Sequence, residues 1–357
     1  MRRSLSWFVP ALLTLLVVGC SGSDKTTESR DAGSISDKAT APAGQEVIVR
    51  IADVGAGLCC VIRMPGPKYV IYDAGNYEDN GKSAMSVITE IIPSGSDVAM
   101  LVLSHSDSDH VAAVPDICEK YHVKIAVFPD IERDTATWEN AVKALDAEAA
   151  TDGCKEIRVK MEADCQNTSV TSGEAEFRVL CGWAIPPASF GCKDDSELKN
   201  GGSIIARFTC GGWSVLFTGD AVGRHLNSPA GICIAEERWL VDNIKPAELE
   251  SDVLIAPHHG ANSSCSETFL QTVQPTWVVF SAGHKFSHPR AAAAERCIAA
   301  GVKKEHILRT DRGDDEGGEE WNEGRVAGTK DSRGDDSITV TITKSGSSWK
   351  LMVEQQK

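Results

Sequence analysis

The segment best suited to chemistry runs from Ser104 to His110 and reads Ser-His-Ser-Asp-Ser-Asp-His. It directly follows an apolar stretch, residues 98–103, and the end of a buried strand is a common position for residues that bind ligands. Imidazole and carboxylate together suit zinc, manganese or iron. A solvated polar turn is the alternative, because Asp and Ser are common in turns, whereas paired histidines are not. The segment therefore predicts metal binding by His105, Asp107, Asp109 and His110.

Two further apolar runs end in residues of the same kind. Residues 217–220 read Phe-Thr-Gly-Asp and end in Asp220, and residues 255–260 read Ile-Ala-Pro-His-His-Gly and contain a histidine pair. Parallel or alternating strands bring such ends to one edge of a sheet. One aspartate between two cations can bridge them, as hydrolases with two metals require at a separation of ~3.5–4 Å. We therefore expect a metal centre assembled from three strand ends.

The hydropathy pattern predicts the elements that hold these residues. Three strands at 47–54, 59–64 and 69–72 suggest an antiparallel meander, after which helices and strands alternate. Further strands are predicted at 98–103, 123–128, 177–181, 203–210, 214–218, 252–256, 277–280 and 338–342, and helices at 82–92, 111–120, 135–150 and 291–300. This order favours two sheets packed face to face with helices outside. One domain over 47–357 is expected, and two domains that meet near residue 195 are the alternative.

Composition limits the classes of function. The chain has 357 residues, of which 42% are hydrophobic, so it can bury a full core and is not disordered throughout. It has 51 acidic and 36 basic residues and a formal net charge of −15. Proteins that hold nucleic acid by charge need Lys and Arg against the phosphates, so we expect no stable nucleic-acid complex. An enzyme that reaches phosphates through a metal is not excluded.

The N-terminal residues predict export. A basic start, Met1-Arg2-Arg3, precedes an apolar run over 7–18, which is shorter than the ~20 residues of a spanning helix. We interpret residues 1–19 as a signal peptide. Residues 17–20, Val-Val-Gly-Cys, resemble the lipobox of bacterial lipoproteins, which implies lipidation of Cys20 and a flexible tether over 20–46. The expected location is the cell envelope, on the periplasmic or outer-membrane side, with the lipid as the only membrane contact; a plain secretory signal is the alternative.

Residues outside these motifs are interpreted as structural. Among the 12 cysteines, four in one polar region are the best disulfide candidates: Cys154, Cys165, Cys181 and Cys192. His122 lies in a strand-like run and is expected to pack rather than to act in chemistry. Residues 311–336 are acidic and rich in glycine, and an exposed loop is expected there.

Taken in order, the motifs resemble the metallo-β-lactamase fold, and in particular the extracytoplasmic hydrolase domain of the ComEC competence proteins and their soluble relatives. Seven segments over about residues 47–345 carry the resemblance: 53–57 (Asp-Val-Gly-Ala-Gly), 104–110, 200–204 (Asn-Gly-Gly-Ser-Ile), 218–220 (Thr-Gly-Asp), 258–260 (His-His-Gly), 288–289 (His-Pro) and 310–311 (Thr-Asp). The resemblance implies an α/β fold, an αββα four-layer sandwich.

The resemblance also implies roles, residue by residue. His105 and Asp107 would bind one metal, and Asp109 and His110 would bind the other, with Asp220 as the bridge. One of the adjacent histidines would complete the second site; we assign His258 as that ligand and His259, with Asp109, to catalysis. Residues expected near the site, or as orienting partners, are Asp53, Asp73, Asn200 and, at the rim, His288.

Two departures from the family pattern concern the first metal site. Asp107 stands where many members of the fold have histidine. Many members also supply a further histidine before the bridging aspartate, and here His122 is the only one between His110 and Asp220. The first site is therefore poor in ligands, and we expect it to be weak or empty.

The implied activity is metal-dependent hydrolysis with two divalent ions, zinc or manganese. The implied substrate is a phosphodiester: nucleic acid, a nucleotide, or a phosphodiester of the cell envelope. The fold also serves hydrolases of β-lactams, lactones and thioesters, which are the alternative. A third possibility is a non-catalytic, lipid-anchored binding module with a degenerate metal site, which the missing histidine favours.

Overall fold

The computed structural model describes residues 46–76, 79–311 and 336–356. All of these lie in one compact unit, 41–357. The predicted signal peptide, Cys20, nearly all of the tether and nearly all of the acidic segment lie outside the described residues. Among the helices within these ranges, none has the length and apolar character that a membrane span needs.

The first sheet has nine strands. Their order is β16-β15-β1-β2-β3-β4-β6-β7, and β5 also pairs with β4. The strands β1, β2 and β3 form the predicted antiparallel meander, and β4 then joins β3 in parallel, with Ile71 opposite Leu101. The bounds are β1 Glu46–Ile51, β2 Cys59–Met64, β3 Lys68–Ala74, β4 Asp97–Val102, β5 His122–Val123, β6 Ile125–Pro129, β7 Lys155–Val159, β15 Ile338–Ser345 and β16 Ser348–Gln355.

The second sheet has seven strands in the order β14-β13-β12-β11-β10-β9-β8. The strands β11, β12, β13 and β14 run parallel, whereas β8 to β11 pair antiparallel. The bounds are β8 Ser169–Ser172, β9 Ala175–Cys181, β10 Ile205–Cys210, β11 Trp213–Phe217, β12 Val253–Ile255, β13 Trp277–Phe280 and β14 Ile307–Arg309.

Helices cover the outer faces of both sheets. Those associated with the first sheet are α1 Lys82–Ile91, α2 Ser108–Val111, α3 Val114–Lys120 and α4 Ala136–Asp152. Those associated with the second are α5 Asp195–Asn200, α6 Ala235–Asn243, α7 Pro246–Leu249, α8 Glu267–Val273 and α9 Ala291–Ala299.

Three apolar clusters account for the layers. Strand β4 has a nearly continuous apolar run because both of its faces are buried. Met100 and Val102 face the cluster shared by the two sheets, while Val98 and Leu101 face the cluster beneath α1, α3 and α4. A third cluster lies between the second sheet and helices α6, α8 and α9. Because both faces of each sheet are buried, the arrangement is the predicted αββα sandwich.

Most predicted elements are present. One predicted helix is divided in two, and several elements of the structure were not predicted. The helix predicted over 111–120 is two helices, α2 and α3, since Pro115 occupies the first turn of a new helix. The elements not predicted are β7, β8, β14, β16, α5, α6, α7 and α8, most of which are short.

Two sequence-based expectations are wrong. The eleven described cysteines are all free. The four disulfide candidates are divided among the three clusters: Cys154 lies beneath α4, Cys165 lies between the sheets, and Cys181 and Cys192 lie with the third cluster. His122 does not pack, because 57% of its side chain is exposed, beside the carboxylate of Asp152.

Candidate metal centre

The site lies where parallel strands of both sheets end. Asp73 is the last but one residue of β3. The segment 104–110 follows β4, Asp220 follows β11, and the pair 258–259 follows β12. Within each sheet the strands concerned are parallel, so their carboxyl ends lie at one edge. The predicted assembly of three strand ends is confirmed, and Asp73 is a fourth contributor.

Asp220 lies between the histidines. Its Oδ1 atom is 3.3 Å from His110 Nε2 and 3.4 Å from His259 Nε2. Its Oδ2 atom is 3.8 Å from His105 Nε2. The carboxylate is buried. It presents Oδ1 to His110 and His259 and Oδ2 to His105. This is the arrangement that a bridging carboxylate needs.

Asp73 fixes the orientation of His110. Its Oδ2 atom accepts a hydrogen bond from His110 Nδ1 at 2.8 Å and one from Ser104 Oγ at 2.7 Å, and its Oδ1 accepts from Ser104 N at 2.6 Å. The residue is fully buried and has a left-handed backbone, φ 55°. Because Nδ1 of His110 donates to a carboxylate, Nε2 is the atom left to face Asp220.

The same network orients His105. Ser104 Oγ uses its proton on Asp73, so it accepts from His105 Nδ1 at 3.0 Å. The Nε2 atom of His105 then carries the lone pair, and it is buried without a hydrogen-bond partner. Asp73 thus acts on both histidines, directly on His110 and through Ser104 on His105.

His259 and His258 are adjacent but differently engaged. His259 Nδ1 donates to the carbonyl oxygen of Ser281 at 2.6 Å, and its Nε2 is 3.1 Å from His110 Nε2. His258 has both nitrogens occupied, Nδ1 by Ser263 Oγ at 3.0 Å and Nε2 by Asn200 Nδ2 at 3.2 Å. Ligand atoms of Asp109, His110 and His259 lie within 4.8 Å of one another. His258 Nε2 is 3.8 Å from Asp220 Oδ2, but it already accepts a hydrogen bond from Asn200. His259 is therefore the better placed of the two histidines beside Asp109 and His110, the reverse of the assignment made from sequence.

The backbone at this pair is unusual. His258 and His259 both have left-handed conformations, with φ of 49° and 53°. Such conformations are unfavourable for non-glycine residues and concentrate at functional sites. Gly260 follows with φ 82°, and a Cβ there would lie 2.6 Å from Phe280 and 2.7 Å from Pro289. The turn therefore directs both imidazoles inward, and glycine is required where it ends.

The two aspartates of the first segment differ. Asp109 Oδ2 is 3.9 Å from His259 Nε2, whereas Asp107 Oδ2 is 3.9 Å from His105 Nε2. The other oxygen of Asp107 pairs with Arg133 Nη1 at 3.2 Å. Gly57 lies in the motif 53–57 and allows the segment 104–110 to approach closely. A Cβ at Gly57 would lie 2.7 Å from the carbonyl oxygen of Asp109, which accepts a hydrogen bond from Leu58 N.

The ionisation of these groups reflects their surroundings. Burial opposes charge on His110, but the carboxylates of Asp220 and Asp73 outweigh it and raise the pKa of His110 well above its usual value. Burial would raise the pKa of Asp220, but His259, His110 and His258 hold it well below its usual value. Burial lowers the pKa of His105 and of His258. The centre therefore stabilises one positive charge between Asp220 and the imidazoles.

This arrangement fits a metal ion. Both Nδ1 atoms of His110 and His259 are committed to acceptors, so their Nε2 atoms face each other with lone pairs unless a proton or a cation lies between them. Buried atoms without a hydrogen-bond partner include His105 Nε2 and Asp220 Oδ1. Imidazole and carboxylate donors with orienting partners behind them match zinc and manganese sites.

The remaining predicted residues lie at different distances from the centre. Asn200 contacts His258, and its own Oδ1 is buried without a partner. The ring of His288 stacks on that of His259, with centroids 6.5 Å apart, and burial beside His258 and His259 lowers its pKa to about 3. Asp53 instead binds backbone N–H groups of Gly55 and Asp336, so it ties the end of β1 to the start of β15.

Sequence reasoning missed several contributors. Ser104, Ser263 and the carbonyl of Ser281 orient the histidines, and Arg133 pairs with Asp107. Ser104 and Ser263 lie one and five residues from the histidines that they contact, which is a local signal, whereas Ser281 is 22 residues from His259. Arg133 lies in a loop without a motif.

The centre forms the base of a cleft of about 790 Å³. Its acidic lining residues are Asp107, Asp109, Asp194, Glu197 and Asp220, and its basic ones are Arg133, Lys199 and Arg290. The apolar side chains of Leu226 and Phe286 are exposed and line the same cleft. Without metal, the ionised lining is acidic by two charges; two divalent cations would reverse that sign.

Comparison with known proteins agrees with this geometry. Residues 52–164 match the sequence profile of the Metallo-beta-lactamase superfamily. ComE operon protein 3 of Bacillus subtilis is 26% identical over 214 residues, which are 59% of this chain and 23% of that protein. Competence protein ComA of Neisseria gonorrhoeae is 27% identical over 297 residues, which are 78% of this chain and 33% of that protein. The chain thus spans between about a quarter and a third of the length of these relatives.

Among solved structures, a mutant of CmlA beta-hydroxylase aligns with a TM-score of 0.41 and 13% identity, over 73% of this chain and 52% of that one. A similarity at this level carries no argument about activity. The family match over residues 52–164 and the competence-protein relatives confirm the predicted resemblance to metallo-β-lactamase domains of the ComEC type.

Proposed function

We propose that this chain is a ComEC-type member of the metallo-β-lactamase superfamily and a metal-dependent hydrolase of phosphodiester bonds. The observation that carries the proposal is the buried convergence of His105, His110 and His259 on the two oxygens of Asp220. The groups behind these ligands engage each Nδ1, so that each Nε2 faces Asp220. A group of this kind is costly to bury unless it binds a cation.

The residues divide into two ligand sets. His105, Asp107 and Oδ2 of Asp220 would hold one cation, and Asp109, His110, His259 and Oδ1 of Asp220 would hold the other. Divalent cations, when bound, supply Lewis acidity: they polarise a phosphoryl centre and make a water molecule acidic enough to attack near neutral pH. Nitrogen and oxygen donors together favour zinc, and manganese is the second choice.

The chain's own side chains would position and deprotonate the attacking water. Asp109 lines the cleft and carries a carboxylate beside His259, so it is our candidate for accepting the proton. His258 stays neutral at neutral pH because burial lowers its pKa, and Asn200 and Ser263 hold its ring. We therefore assign His259 to metal binding and His258 to shaping the cleft wall next to Asp220.

The charge of the cleft supports an anionic substrate. With two divalent cations bound, the ionised lining would be positive by two charges, which attracts a phosphodiester. A neutral lactam, lactone or thioester would gain less from Arg133, Lys199 and Arg290. The apolar side chains of Leu226 and Phe286 leave room for an uncharged part of the substrate. We expect turnover of such substrates without a stable complex with long nucleic acid, because the whole chain is acidic.

The proposed location is the outside of the cell membrane, held by a lipid on Cys20. The N-terminal basic start, short apolar run and Val-Val-Gly-Cys sequence support this. Replacing Cys20 with Ala should move the full-length protein from the membrane fraction to the soluble exported fraction. Equal membrane retention of both forms would contradict lipidation.

The function is tested with the full-length chain loaded with zinc or manganese. We expect hydrolysis of bis(p-nitrophenyl) phosphate, and a loss of about a thousandfold in turnover for Asp220→Asn, since one ligand set loses its oxygen and both lose the negative charge. Asp242→Asn, the same change on the exposed part of α6, is the matched control and should behave as wild type. Unchanged turnover in Asp220→Asn, or hydrolysis of a lactone or thioester but no phosphodiester, would refute the proposal.

A further inference from the structure

Arg133 is a basic side chain beside the metal centre to which the proposed chemistry gives no role apart from the general charge of the cleft. It lies in the loop between β6 and α4, and only 14% of its side chain is exposed. Its Nη1 atom is 3.2 Å from Asp107 Oδ1, and it lines the same cleft as the predicted metal ligands. A guanidinium held in this position is always charged.

The ion pair with Asp107 uses only part of the guanidinium. Arginine carries five N–H donors in a planar fork, so it can bind a carboxylate and a second oxyanion together. Side-chain hydroxyls from two neighbouring segments line the cleft with it: Thr135 and Thr137 from the end of its own loop and the start of α4, and Ser106 and Ser108 from the segment that carries Asp107. This wall of the cleft is therefore rich in hydrogen-bond donors.

The position of this wall is informative. It lies at the His105 and Asp107 end, where the ligand set is poorest in nitrogen donors. A fixed positive charge here compensates in part for the missing histidine ligand, because it stabilises negative charge on a substrate at the same place. Lys199 also lines the cleft, but it is exposed, and its ammonium is a flexible point charge.

We propose that Arg133 binds a non-bridging oxygen of the substrate's phosphoryl group and so selects anionic phosphoryl substrates over neutral esters. This inference rests on the proposed function and assigns the anion-binding side of its site. Asp107 holds the guanidinium in place, and the remaining donors face the substrate oxygen. Arg133 is thus a specificity residue rather than a metal ligand.

The test measures binding of inorganic phosphate to the full-length chain at saturating zinc, by titration calorimetry, together with zinc content. We expect Arg133→Gln to weaken phosphate binding by about 10- to 100-fold, which is the range for loss of a charge-assisted hydrogen bond. Arg133→Lys should recover part of the affinity, because it keeps the charge but not the fork. Lys199→Gln removes the same charge from the same cleft and should cost less than about threefold.

Several outcomes would overturn the assignment. Equal losses in Arg133→Gln and Lys199→Gln would reduce Arg133 to a general contribution of charge. Loss of zinc from Arg133→Gln would mean that Arg133 acts by holding Asp107. Unchanged phosphate affinity in Arg133→Gln, or no phosphate binding by the wild type, would also refute it. Failure of the proposed function is a separate outcome, because the wild type would then show no phosphodiester turnover.

Discussion

The two ends of the metal centre use similar residues but differ in how firmly these are held. At the His259 end, formed by Asp109, His110 and His259, both imidazoles donate from Nδ1 to buried acceptors. The His105 end, formed by His105 and Asp107, is assigned one imidazole, and 34% of the Asp107 side chain is exposed. His258 Nε2 is also 3.8 Å from Asp220 Oδ2, but Asn200 occupies it. Asp107 also shares its carboxylate with Arg133.

This difference teaches that ligand identity and ligand preorganisation come from different parts of the chain. The segment 104–110 supplies two residues to each end. The firmness of the His259 end comes from Asp73 on β3 and from the carbonyl of Ser281 after β13. We therefore expect the His259 end to bind metal more tightly than the His105 end.

The largest expected effect separates the adjacent histidines. His259→Ala should lower the affinity of one zinc ion by more than about 100-fold, since removing even an orienting partner costs 10- to 100-fold. His258→Ala should leave zinc stoichiometry unchanged, because both of its nitrogens already bind Ser263 and Asn200. Zinc content after dialysis against a chelator measures both. Loss of zinc from His258→Ala alone would reverse our assignment.

A slightly smaller effect is expected when the orienting carboxylate is changed. Asp73→Asn should lower zinc affinity at both ends by about 10- to 100-fold, because Asp73 acts on His110 directly and on His105 through Ser104. Asp53→Asn is the control, since Asp53 binds backbone at Gly55 and Asp336. If the competition titration gives equal losses for the two variants, Asp73 has no special orienting role.

A change at the weaker end should matter less. Asp107→Asn should lower the affinity of only the more weakly bound zinc, by about tenfold or less, because this carboxylate is partly exposed and already paired with Arg133. The tightly bound zinc should stay. Competition with a chromogenic zinc chelator resolves the two, and loss of both ions in this variant would show that the ends are not independent.

The smallest effect tests the burial of the His259 end in the metal-free protein. Burial beside His258 and His259 lowers the pKa of His288 to about 3, whereas an unfolded histidine titrates near 6.5. Below pH ~6.5 the unfolded chain therefore binds a proton that the folded chain does not bind. The free energy of unfolding then decreases by up to about 1.4 kcal/mol for each unit by which the pH is lowered, until the pKa of the folded state is reached.

His288→Gln removes this titration. Urea unfolding at pH 7 and pH 5 gives the free energy of unfolding of both proteins. The value for the wild type minus the value for His288→Gln should be lower at pH 5 by about 1 to 2 kcal/mol. A difference that is the same at both pH values would mean that His288 is not held in its neutral form.

The comparison also explains what the sequence could predict. The segment 104–110 and Asp220 were predicted because apolar strands end directly before them, so their shared edge follows from strand order. The choice between His258 and His259 could not be predicted. Both have left-handed backbones on one turn, and the deciding contact is the carbonyl of Ser281, 22 residues further on.

Other parts of the molecule were less accessible to sequence reasoning for related reasons. Arg133 has no motif, and only the packing of its loop brings it to Asp107. The cysteines were grouped by their proximity in sequence, whereas the fold separates them into different layers. The αββα fold itself was predictable, because buried strands such as β4 are apolar on both faces.

The most direct test of the central claim is a zinc titration of the full-length, metal-free chain by competition with a chelator of known affinity. We predict two equivalents of different affinity, with the first bound at least about tenfold more tightly and lost in His259→Ala. Failure to bind zinc or manganese would contradict a metal centre. Two equivalents of equal affinity, both unaffected by His259→Ala, would contradict the difference between its two ends.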